Sequence, residues 1–227
     1  MARKLITERD VLERAKRGEK SLFVDSETML TPSARDAAAQ HNIQVKDSRD
    51  PTISRAKTVD AIISVPSPIA NSANTSSVVA IGSDHGGYRL KETLKQLVGE
   101  LGFPVVDVGT NSEEACDYPD FAYAVAAMVS SGEASRGIMI DGVGVASAIV
   151  ANKVPGVRAV PCYDEFVAKS SREHNDANVL TLGGRIVGSE LAKSIVKIWL
   201  ETGFAGGRHQ GRVQKISDVE KRFANRK

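Results

Sequence analysis

The sequence predicts an α/β protein of the Rossmann-like kind, a doubly wound, five-stranded parallel sheet with helices on both faces. Two observations carry this. From Val78 onward, short apolar runs alternate with helical patterns five times, joined by short connections. The polar residues that stand out, Asp84, His85 and Asp141, each follow an apolar run, which is where parallel sheets bind ligands. A small N-terminal α/β extension precedes this domain.

The expected organisation is an extension over residues 1–46, a linker over 47–77 and the main domain over 78–227. In the extension, Thr7 with Glu8 and Asp10 reads as a helix cap with an acidic first turn, and Gly18 as its stop. Ser21 to Asp25 is a strand candidate. Thr31-Pro32 opens a second helix that fades near His41, and Ile43 to Val45 is another strand candidate. This is little apolar material for an independent core, so the segment reads either as a decoration or tail, or as an adaptor that addresses the protein to a partner. On either reading it is dispensable for ligand binding. Residues 47–77 are rich in Ser, Pro, Asn and Thr, with one apolar patch at Ala61 to Val65.

In the main domain the expected strands are Val78–Gly82, Val105–Val108, Gly137–Ile140, Arg158–Pro161 and Val179–Leu182. The helices between and after them are Tyr88–Leu101, Tyr118–Ser131, Val145–Lys153, Asp164–His174 and Glu190–Leu200. The stretch GIMIDGVGVASAIVANK, Gly137 to Lys153, is the centre: a buried strand, a turn with Gly142 and Gly144, and a helix N-terminus. Such a corner binds anions, because free N–H groups and the helix dipole point at the ligand. Asp141 stands at its mouth.

Composition narrows the function. The chain has 227 residues and a net charge of +2, so no strong field argues for nucleic acid. At 41% hydrophobic residues it lies in the globular range, and no apolar stretch is long enough to span a membrane. The two cysteines, Cys116 and Cys162, suffice for neither a disulfide framework nor a zinc site. MARKLITERD lacks the apolar core of a secretory signal, so the expected compartment is the cytoplasm. No cofactor, metal, nucleic acid or membrane is expected.

Taken singly, the polar motifs are weak. DHGG, Asp84 to Gly87, is most simply a turn with a surface histidine. SREHNDANVL, Ser171 to Leu180, is most simply a polar helix end. GGRHQGR, Gly206 to Arg212, is either a basic tail or, if helical, a pair of guanidiniums on one face suited to a phosphate. Together, SDHGGYRLKETL, DVGT, DYPDFA, ANKVPGVRA, SREHNDANVL, LGGRIVG and GGRHQGRV stand in this order and closely resemble the ribose-5-phosphate isomerase B family, which includes the galactose-6-phosphate isomerase subunits. The resemblance runs from Val78 to the C-terminus. A shorter one, carried by ITERDVLERAKRG and LTPSARDAA, links the extension to segments at the front of some bacterial microcompartment-associated enzymes, and would place the chain in such a compartment with a partner there.

The resemblance implies a metal-independent aldose–ketose isomerase working through an enediolate. By position, the turn Gly142, Val143, Gly144, Val145, Ala146 would hold the developing oxyanion. His174 would help open the sugar ring, with Asp84 as candidate partner. His85, Arg208 and Arg212, with Arg185 as a further candidate, would grip the phosphate, and Tyr118 and Asn175 would contact hydroxyls. Family members are dimers or tetramers with the site at a subunit boundary.

The centre departs from the family pattern. The usual cysteine base is Asp141 here, the hydroxyl residue two places on is Val143, a turn glycine is Ala146, and the glutamate that another branch uses corresponds to Ser147. Asp141 has the reach of a base, and carboxylates do this work elsewhere. A helix N-terminus, however, steadies a negative carboxylate, and that carboxylate would repel an enediolate beside it. Three readings stand: an active isomerase, a weak or inactive member that binds a sugar phosphate, and an oligomeric scaffold for the extension.

Overall fold

The computed structural model describes residues 4–25, 28–47 and 77–224. The linker expected over 47–77, with its apolar patch at Ala61 to Val65, lies outside the described residues apart from its two ends.

The main sheet has the strand order β6-β5-β7-β9-β8, all parallel, from β5 (Val79–Ser83), β6 (Val105–Asp107), β7 (Arg136–Asp141), β8 (Ala159–Pro161) and β9 (Val179–Gly183). The inner strands β5 and β9 are buried along their whole length, as two-sided packing in a parallel sheet requires. Alternate residues face opposite layers. Val79, Ile81, Ile138, Ile140, Leu180 and Leu182 meet one apolar layer. That layer is completed by α3 (Tyr88–Glu100), α6 (Glu165–Asn175) and α7 (Ser189–Glu201). Ala80 and Met139 face the other layer, with α4 (Tyr118–Ser130) and α5 (Val145–Ala151). Helix α8 (Arg208–Ala224) follows.

The chain leaves β5 toward β6 on one side and returns to β7 on the other. The switch point therefore lies between β5 and β7, whose carboxyl ends carry Asp84 and Asp141. The expected elements are present within a residue or two; the helix expected to reach Lys153 stops at Ala151, where Asn152 serves as C-cap.

The extension is more complete than its composition suggests. It forms β1 (Lys4–Ile6), α1 (Glu8–Lys16), β2 (Ser21–Val24), β3 (Thr28–Leu30), α2 (Pro32–Gln40) and β4 (Gln44–Asp47). Strands β1 and β3 were not expected; three residues each is too short for a periodicity signal. The order is two strand–helix–strand units, yet β1 pairs with β3 and β2 with β4, so neither unit closes without the other. Small alanines let the helices approach closely, and Ile6, Val11, Leu22, Leu30, Ala34 and Ile43 are buried in a cluster of their own. Leu5 and Met29 pack instead against the α4–α5 layer of the main domain. Thr31 caps α2 by accepting a hydrogen bond from the Ala34 N–H at 3.1 Å, and Pro32 follows it as expected.

Gly144 combines two backbone constraints at the site, a left-handed conformation and a close approach to β9. Its φ is +91°, and a Cβ there would lie 2.9 Å from the carbonyl carbon of Leu182. Gly132 also has positive φ, +80°, but open space around it. Gly132→Ala is expected to cost about 1–2 kcal/mol, the left-handed penalty alone, whereas Gly144→Ala adds a backbone clash and should cost clearly more. Urea midpoints of the two variants check this; equal losses would contradict it.

Candidate active site

Asp84 opens the loop after β5 and is buried. Its Oδ1 accepts hydrogen bonds from the N–H groups of Gly86 at 2.8 Å and Gly87 at 3.1 Å, so the carboxylate shapes the DHGG turn. Burial pushes its carboxyl above the ordinary aspartate range; the Gly87 N–H, His85 and the Gly86 N–H oppose this, and the nearby Asp141 adds to it.

His85, next in sequence, is half-buried. Its Nδ1 lies 3.3 Å from the N–H of Cys116, which can donate to it, and 3.2 Å from the Cys116 carbonyl. One ring nitrogen is thus committed to the protein, and Nε2 is left for a ligand.

Across the crevice, Asp141 turns back into its own corner. Oδ1 accepts from the N–H of Val143 at 2.7 Å and from the N–H of Gly144; Oδ2 accepts from the Ser147 N–H at 3.0 Å and the Ser147 hydroxyl at 2.5 Å. A carboxylate has about four acceptor positions, and these four donors occupy them. The expectation that Asp141 stands at the mouth with free reach is corrected here: the side chain is buried and caps the helix behind it. The sequence carried a trace of this in Ser147, which sits at the third position of α5 and brings two donors to one oxygen. The N–H groups of Val145 and Ala146, at the first turn of α5, have no hydrogen-bond acceptor among the described residues and remain open to an anion. Arg185 crosses the turn: its N–H donates to the Gly142 carbonyl at 3.1 Å, and its Cδ would lie 3.7 Å from a Cβ at Gly142. Tyr118 opens α4 two residues after Cys116.

The structure therefore brings together Asp84, His85, the Gly142–Ala146 turn and Arg185. It separates them from His174, Asn175, Arg208 and Arg212. His174 and Asn175 end α6, which leads into the start of β9, while Asp141 is paired with Gly183 at the end of β9. At about 3.3 Å per residue, the five residues of β9 put roughly 15 Å between the two groups along the strand direction. The second group is ordered in its own right. Arg172, buried beneath it, donates to Asp176 Oδ1 at 2.9 Å, the Ala177 carbonyl at 2.5 Å and the Thr202 carbonyl at 3.2 Å, which holds the end of α6. Ser170 lies 3.1 Å from His174 Nδ1, and the ring of His209 stacks on His174 with centroids 4.3 Å apart. His209 stood inside GGRHQGR without being singled out, because only the folded tail lays it on α6. Arg208 and Arg212 fall on α8, four residues apart on a helix.

Cys162 is fully buried on the loop after β8, and burial pushes its thiol up to about 12, so it offers no thiolate to the site. No helix among the described residues is long and apolar enough to cross a membrane.

Because Asp84 holds its proton more tightly folded than unfolded, its protonation stabilises the fold below the unfolded value, and that contribution is lost as pH rises through the folded value. Asp84→Asn keeps an acceptor oxygen for the turn and removes the buried charge. Its melting temperature relative to the parent should therefore improve between pH 3.5 and pH 7; a difference that is flat or worsens with pH would contradict the assignment.

Comparison with known proteins extends these observations. A model of the Ribose/Galactose Isomerase family matches residues 79–216. The chain is 49% identical over 144 residues to ribose-5-phosphate isomerase B of Escherichia coli, covering 63% of this chain and 97% of that one. It is 40% identical over 143 residues to D-erythrulose-4-phosphate isomerase of Pectobacterium atrosepticum, covering 63% of this chain and 94% of that one. Among solved structures, ribose-5-phosphate isomerase B of Clostridium thermocellum is 51% identical, with a TM-score of 0.63 over 64% of this chain and 99% of that one. With its parallel sheet, its crevice between β5 and β7 and the match over residues 79–216, the chain belongs to the ribose/galactose isomerase family, a family of sugar-phosphate isomerases.

Proposed function

We propose that the protein is an aldose–ketose isomerase acting on a sugar phosphate of the ribose 5-phosphate/ribulose 5-phosphate type. The observation that carries this is the pairing, across one crevice, of the His85 turn with the open N–H groups of Val145 and Ala146. An enediolate needs an oxyanion site of that kind next to a phosphate grip. The names of the Escherichia coli and Pectobacterium relatives support a short-chain sugar phosphate.

In this reading His85 Nε2 and Arg185 meet the phosphate from one chain, with Arg208 and Arg212 arriving from another. His174 acts on the ring oxygen, with Asn175 and Tyr118 on hydroxyls. A base takes the proton from C2 and returns it to C1 while the O2 proton moves to O1, so the reaction is balanced without a cofactor. Asp141 is the candidate base. To act, one of its oxygens must give up a donor, and the Ser147 hydroxyl is the one that can rotate away while the three backbone N–H groups stay. The occupied carboxylate also favours a second reading, a family member that binds a sugar phosphate with little or no turnover, since Asp141 fills the inner part of the anion nest with a charge of its own.

The roughly 15 Å between the two groups of residues supports an assembly in which a second copy completes each site. The apolar rim of the turn supports it too: Val143, Val145, Ile149 and Ile186 are all exposed beside the crevice. Light scattering at micromolar concentration should give at least twice the 24.3 kDa chain mass, and a monomer would contradict the shared site.

Asp141→Asn should keep phosphate affinity and lower kcat on the order of a hundred-fold or more if Asp141 is the base. Unchanged turnover would assign the base elsewhere. If the parent is inert on pentose phosphates while Asp141→Cys with Val143→Thr turns over, the binding reading holds.

A further inference from the structure

The extension was expected to be dispensable for ligand binding, yet the structure joins it to the candidate phosphate grip through one peptide group. Residues 108–117, between β6 and α4, have no helix or strand. Within them, the Ala115–Cys116 peptide has two polar partners on opposite sides. Its N–H, that of Cys116, can donate to His85 Nδ1 at 3.3 Å. Its carbonyl, that of Ala115, accepts from Arg9 Nη1 at 2.8 Å, and Arg9 belongs to α1 of the extension. Arg9 Nη2 also lies 3.4 Å from Glu114. Arg9, His85 and Cys116 line one cavity of about 260 Å³. The extension is held against the main domain here by the Ser33 hydroxyl, which donates to Asp120 on α4 at 2.5 Å, and by the packing of Leu5 and Met29.

We propose that Arg9 is a positioning residue for ligand binding, acting through the Ala115–Cys116 peptide on His85. The inference rests on the reading of His85 as a phosphate ligand. A cationic donor on a peptide carbonyl fixes the peptide plane and strengthens the donor character of its N–H, since linked hydrogen bonds polarise one another. When that N–H donates to Nδ1 of His85, the neutral ring carries its proton on Nε2, where a phosphate oxygen can accept it; the Cys116 carbonyl, 3.2 Å from Nδ1, favours the other tautomer, so the orientation of the Ala115–Cys116 peptide weighs between the two. Without Arg9 the irregular segment keeps its bond to His85 but loses the charged anchor that orients it. The extension thereby becomes part of the binding apparatus.

The test uses the full chain with Arg9→Ala, Arg9→Lys and Ser33→Ala. Two measurements are made: imidazole 15N shifts of His85, and affinity for inorganic phosphate and for ribose 5-phosphate. Arg9→Ala should shift the His85 nitrogens toward a tautomer mixture and weaken phosphate binding by about three- to tenfold, the effect of one hydrogen bond. Where turnover is present, KM should rise by the same factor with kcat within about twofold. Arg9→Lys, which retains a cationic donor, should recover most of both signals. Unchanged His85 shifts and phosphate affinity in Arg9→Ala would overturn the proposal. So would a Ser33→Ala variant that moves both as far as Arg9→Ala, because docking in general would then be the cause. An inert parent with these binding responses intact would sink the isomerase reading and leave the Arg9 assignment standing; a phosphate that binds without perturbing His85 would sink the ligand role on which the assignment rests.

Discussion

The site depends on the carboxylate of Asp141 closing the corner between β7 and α5. A strand that turns directly into a helix leaves several N–H groups without partners. Here one side chain accepts from three of them and from the Ser147 hydroxyl, while Gly144 takes the left-handed conformation that lets the turn pass close to β9. This is a strong local solution, since each bond is assisted by the charge and those from Gly144 and Ser147 are buried. The cost is functional. In the isomerase reading proposed above, these are the N–H groups an enediolate would use, so the residue that steadies the corner competes with that ligand for its inner half. What remains for a ligand is the outer half, at Val145 and Ala146, and the opposite wall at His85.

The polarity of a parallel sheet imposes the second constraint. Strand ends of one kind collect at one edge, and helix ends that feed the strands collect at the other. Asp84, His85 and Asp141 are all at carboxyl ends; His174 and Asn175 lie just before a strand begins. No loop movement of a few ångströms brings these groups together in one chain. The second group is nonetheless rigidly built, with Arg172 bracing the end of α6 and His209 stacked on His174.

The extension adds a layer that its sequence hardly announced. Its buried cluster is small and alanine-rich, and Leu5 and Met29 are shared with the main domain, so its fold and its docking are coupled. Through Arg9 it reaches the irregular segment 108–117, whose Cys116 N–H meets His85, and through Ser33 it reaches the first turn of α4. An irregular segment has no ladder of its own to hold it, which is why a few contacts from outside can matter there.

Much of this was legible in the chain itself. Short apolar runs, several of them followed by glycines, specify buried parallel strands and tight connections. That is why the five core strands, their helices, the DHGG and DGVG turns and the caps at Thr31 and Thr7 could be read locally: each depends on neighbours within four or so residues. Even the departure at Asp141 was visible as a residue type. Its orientation was not, because whether a carboxylate points out to a ligand or back to Ser147 is decided by the exact backbone path of the turn, which β9 constrains from more than thirty residues away. The same holds for the Arg9 bond to Ala115, which spans 106 positions, and for the division of the site residues between two ends of the sheet. Such contacts leave no periodic signature; only the packing of whole layers brings the partners to one place.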